Sequence, residues 1–65
     1  MKIFRLLIYL TDADGNYSSP KHFDYPSKDW CKVQWEYLKA HKNVVKEMFP
    51  DYDKFTTMHK MVKEL

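Results

Sequence analysis

A chain of 65 residues with 31% charged and 17% aromatic side chains and a formal net charge of +2 has the length of one domain. Residues 1–65 therefore read as a single unit, one that buries only about 60% of the surface its unfolded chain exposes. The one cysteine excludes an internal disulfide and a multi-cysteine zinc site, and the mild basic excess falls short of the charge density that alone marks a nucleic-acid binder.

Lys2 to Leu10 is rich in aliphatic and aromatic residues, and alternation places Phe4, Leu6, Ile8 and Leu10 on one face and Ile3, Arg5, Leu7 and Tyr9 on the other. This predicts a strand covered on both sides. The run KIFRLLIYL is too short for a membrane span of about 20 residues and lacks a small-residue cleavage site, so neither a membrane anchor nor a signal peptide is expected. With a lone Cys31, the cytoplasm is the expected compartment. Thr11 to Asn16 reads as the turn of a hairpin, Asp14-Gly15 offering the positive φ it needs. Tyr17 to Tyr25 reads as a second, more polar strand, interrupted at Pro20 because proline cannot donate to a ladder.

Ser27 to Phe49 predicts one helix of about six turns. Ser27 is the expected N-cap, Asp29 puts negative charge on the positive end of the dipole, and Pro50 ends the helix. At about 100° per residue, Trp30, Val33, Tyr37, His41, Val44 and Met48 fall on one line with Cys31, Leu38, Val45 and Phe49 on its flank, and the whole arc is expected to be buried. Lys28, Lys32, Lys39, Lys42 and Lys46 gather on the far side with Trp35 among them, and Asp29, Glu36 and Glu47 form an acidic edge. After a turn at Asp51 to Asp53, Phe55, Met58, Val62 and Leu65 recur at helical spacing. The expected fold is thus α+β, an N-terminal β-hairpin packed on one long α-helix and followed by a short C-terminal helix, with a third strand over Phe55 to Leu65 as the alternative.

Asp12-x-Asp14-Gly15-Asn16-x-Ser18 resembles the first half of an EF-hand calcium loop. Tyr17 stands where that loop needs glycine and Phe23 where it needs the bidentate glutamate, so a tight turn is the expectation and calcium is not. His22, His41, His59 and Cys31 show no ligand-pair spacing such as Cys-x-x-Cys or His-x-x-x-His, and Cys31, between Trp30 and Lys32, has no general-base signature. No phosphate loop or paired-carboxylate signature is present. No enzyme activity, metal or cofactor is expected.

The basic face is the informative feature. Lys28/Lys32 and Lys42/Lys46 are like-charge pairs four apart, each mildly destabilising, where a merely solvated helix would gain from alternating sign. Trp35 among them adds an apolar surface that something should cover. Trp35, Lys28, Lys32, Lys39, Lys42 and Lys46 are therefore the candidate partner-binding residues. A protein with an acidic surface is the first partner expected and non-specific nucleic acid the alternative, since a chain whose only arginine is Arg5 lacks the usual reader of bases. A third reading is a homodimer, formed through Ile3, Leu7 and Tyr9 or through a strand edge.

The layout of MKIFRLLIYL, a short second strand and a Lys- and aromatic-rich helix around Val33-Gln34-Trp35 resembles the very small early proteins of tailed phages, including antitoxin and anti-defence types. That resemblance implies a stoichiometric binder that blocks or modulates one host protein in the host cytoplasm, without chemistry of its own.

Overall fold

The computed structural model describes all 65 residues and shows strands β1 (Phe4–Thr11), β2 (Lys21–Tyr25) and β3 (Thr57–Glu64) with helices α1 (Lys28–Ala40) and α2 (Lys42–Met48). The strands form one antiparallel sheet in the order β2-β1-β3, and the helices cover one of its faces. The resulting body is flat, 38 × 21 × 14 Å.

The β1 alternation sets the core. Phe4, Leu6, Ile8 and Leu10 are buried against Cys31 and Leu38 of α1 and Val45 and Phe49 at the end of α2. The opposite face of β1, expected to be covered, carries no layer, and Arg5, Leu7 and Tyr9 on it are half-buried. Gly15 adopts φ +84°, as the turn requires. Thr11 bridges Tyr17 before the chain detours past Pro20, so regular pairing with β1 starts at Lys21. Ser18 covers part of the gap, its Oγ accepting from the Leu10 amide at 2.8 Å.

Three expectations are corrected. First, the C-terminal segment is a strand and not a helix, so the fold is not a hairpin on one long helix followed by a short one. Left as a hairpin, β1 would keep a free edge along its whole length; β3 pairs that edge in full register from Phe4↔Glu64 to Thr11↔Thr57. Met58 and Val62 meet the helical spacing and the strand alternation alike, and ladder formation decides between them.

Second, the long helix is broken at His41, whose φ −126° and ψ 71° are not helical. Its amide bonds to the Leu38 carbonyl, which orphans the Tyr37 carbonyl; the His41 ring turns back and donates from Nδ1 to that oxygen at 2.8 Å. The ring also stacks on Tyr37, centroids 4.1 Å apart. Beyond the break, α2 still brings Val45 to the core.

Third, only the flank of the expected burial arc faces the sheet. Trp30, Val33 and Tyr37 are 56%, 58% and 44% exposed, and His41 is exposed. The flanking Cys31, Leu38, Val45 and Phe49 fill the core as expected, while Val44, Met48 and Trp35 pack at its margin. Residues of modest size let the helices settle close on the flat row of β1 side chains; a tryptophan at position 30 facing inward would hold them off.

Candidate functional site

Ser27 caps α1 as expected, its Oγ accepting from the Trp30 amide at 3.3 Å. The helix lies over the sheet so that its basic side overhangs β3, the strand at one edge. Between α1 and β3 runs a cleft of two concavities separated by Trp35. The first, about 480 Å³, is walled by Lys28, Lys32 and Trp35 on the helix and by Lys60 and Val62 on the strand, with Cys31 at its floor. The second, about 320 Å³, continues past Trp35 to Lys39, Lys42, Tyr52 and Met58.

Trp35 is therefore the partition of the cleft and is half-buried against the core. Lys39 Nζ and Lys60 Nζ lie 5.7 and 6.0 Å from its ring centroid, within reach of a cation–π attraction. Of the sequence-derived candidates, Lys28, Lys32, Trp35, Lys39 and Lys42 line this one cleft. Lys46 sits apart from it, its Nζ 5.8 Å from the Tyr52 ring centroid. Only Lys39 among the cleft lysines has an acidic partner, Glu36 at 3.1 Å; Asp29 and Glu36 line the first concavity together with Lys28, Lys32 and Lys60. Two exposed carboxylates against these lysines leave the cleft net positive.

Lys60 is the residue the sequence reading missed. Read as part of a helix, it had no relation to Lys28 and Lys32; as a strand residue opposite Ile8 it points to the helix layer and joins them. The signal available in the sequence was the alternation Met58, Lys60, Val62, Glu64, with a charge inside the run.

The other candidate chemistries are explained by local structure. Asp12 is consumed by its own turn: its carboxylate accepts from the Asp14 and Asn16 amides at 2.9 Å each and from Asn16 Nδ2 at 3.1 Å. These bonds, the Asn16 amide foremost, hold its pKa below the ordinary aspartate value. Cys31 is buried, its Sγ 3.8 Å from the Phe4 carbonyl oxygen, and burial raises its pKa, with Asp24 adding to the effect, so the inert thiol form is favoured. His59 stacks on Tyr9 and shares a hydrogen bond of 2.9 Å with Thr11 Oγ1. No three His, Cys, Asp or Glu side chains converge as a metal-ligand set. Arg5 is engaged by Asp24 through both carboxylate oxygens, at 2.8 and 3.0 Å.

On the uncovered sheet face, Leu7, Tyr9, Tyr17, Pro20 and Met61 border a shallow apolar concavity. No helix is long and apolar enough to cross a membrane. No protein-family model, curated protein or solved structure matches the chain.

Proposed function

We propose that the chain works by binding rather than by catalysis, as a stoichiometric modulator of a protein partner that presents acidic side chains to the Trp35 cleft. The observation that carries this reading is the convergence of Lys28, Lys32 and Lys60, from two separate elements, on one concavity without acidic partners of their own. Like charges brought together lower stability, and a negative partner relieves that cost on binding. Two features favour protein over nucleic acid. The indole of Trp35 packs on the core and lies beneath two lysines, which leaves little face for a base to stack on. The sole arginine is held by Asp24.

The test is affinity capture from a native extract with and without nuclease, followed by titration of the captured partner. Capture that survives nuclease, and an affinity that falls at least tenfold for Lys32→Glu and Lys42→Glu, is the expected result. Capture abolished by nuclease would give the cleft to nucleic acid, and unchanged affinity of both variants would remove it as the interface.

A further inference from the structure

The strand that forms one wall of the cleft is also an open sheet edge. In an antiparallel ladder alternate residues direct both backbone groups to the same neighbour. The Leu65 amide donates to the Ile3 carbonyl at 2.8 Å, and the register continues as Arg5↔Lys63 and Leu7↔Met61. Lys63, Met61 and His59 therefore pair with β1, while Met58, Lys60, Val62 and Glu64 turn their N–H and C=O groups outward. Nothing occupies that side, since β3 is the last strand in the order β2-β1-β3. The edge runs eight residues without proline; its guard is charge, the inward-pointing Lys60 and Lys63 on the other face, which deters a basic or neutral strand and not an acidic one.

The residues with outward backbone groups are the ones whose side chains face the helix layer, opposite the buried Phe4, Leu6, Ile8 and Leu10. Lys60 and Val62 thus offer amides in the sheet plane and side chains to the cleft at once. We infer that the cleft takes an extended acidic segment of the partner as a fourth strand on the β3 edge. Successive side chains of such a segment alternate across the sheet. Carboxylates at every second position meet Lys28, Lys32 and Lys60 on one side of Trp35 and Lys39 and Lys42 on the other. The residues between them lie beside His59, Met61 and Lys63 on the uncovered face. A second copy of this chain is the poorer occupant on charge, because it lays its own Lys60 and overhanging lysines against the same row.

The inference rests on the acidic-partner reading, and the following experiment separates the two. Random ten-residue peptides displayed on ribosomes are selected against the chain, and binders are re-tested against a chemically synthesised chain carrying N-methyl-Val62. That change removes one outward donor, alters no side chain and spares the bonds to β1. The expected binders are acidic with a two-residue period. Their affinity falls at least tenfold on N-methylation, and they slow amide exchange at Lys60 and Val62 of the unmodified chain at least tenfold. Acidic binders that are lost with Lys32→Glu but slow neither amide and ignore the N-methyl group would overturn strand addition while leaving the acidic-partner reading in place. Recovery of no acidic binder would overturn both. A chain that sediments alone as a dimer, and as a monomer once Val62 is N-methylated, gives the edge to a second copy and overturns the proposal.

Discussion

The two tryptophans show how a single side chain divides between fold and surface. Trp35 packs against the core cluster, whereas Trp30 is 56% exposed despite lying on the longest apolar stripe of the helix. Trp30→Ala is therefore expected to change stability by no more than about 0.5 kcal/mol, as surface substitutions do. Trp35→Ala should cost more, below the roughly 3–5 kcal/mol of a fully buried tryptophan, and Leu38→Ala about 2–5 kcal/mol. Chemical denaturation of the three variants checks the order. The sequence shows both apolar stripes but not which is inside, because that choice depends on how closely a helix must approach a flat sheet. It also shows the role of Asp12 in its turn, since that role is local. Asp12 and Asp24 both have pKa values held below the ordinary one, the first by hydrogen bonds from Asn16 and the second by those from Arg5. Groups depressed on folding stabilise fully above their unfolded pKa of about 3.9 and lose that contribution as pH falls through the folded value. The melting temperature should thus hold from pH 7 to about 5 and drop below about 4, and Asp24→Asn should flatten part of that drop. Calcium at millimolar concentration should leave the melting temperature unmoved, because the Asp12 oxygens already accept from the turn.

At the scale of elements, the hairpin and the helix start are legible because their signals are local: Gly15 for the turn, Pro20 for the gap, Ser27 for the cap. The last segment is not, since Met58, Val62 and Leu65 fit a helix by spacing and the strand depends on an edge of β1 some fifty positions away. The helix break is hidden for a related reason. His41 carries no helix-breaking chemistry, and its ring repairs the carbonyl that the break exposes. A proline scan distinguishes strand from helix in the last segment. Met61 donates inward to β1, so Met61→Pro should cost about 3 kcal/mol or more, while Val62→Pro, on the outward phase, should cost clearly less. In a helix interior both positions would be damaged alike, so equal losses would contradict the strand.

The whole molecule is one helix layer on one three-stranded sheet, with eight of its 65 residues buried. So small a core leaves little stability in reserve, and part of what there is works against the clustered charge of the cleft. Lys28, Lys32, Lys39 and Lys42 were legible together from their spacing; that Lys46 stands apart was not, and neither was the cleft, because its second wall and Lys60 come from β3. A ligand that binds only the folded chain adds RT ln(1 + [L]/Kd), about 2.7 kcal/mol at a hundredfold excess over Kd. For a domain of this size each kcal/mol moves the melting temperature by roughly 4–8 °C, so a saturating acidic partner should raise it by about 10–20 °C. Added salt has opposite effects on the two states. It screens the repulsion among Lys28, Lys32 and Lys60 in the free chain and raises its melting temperature, while it weakens the complex and lowers the shift that the partner produces. Thermal melts of the free and bound chain between 20 mM and 500 mM salt should therefore converge. In Lys32→Glu, which takes a positive charge from the cleft and sets a negative one beside Asp29 and Glu36, the partner should add little to the melting temperature at low salt; a variant that keeps the full shift would show that the lysines of the cleft are ordinary surface charge.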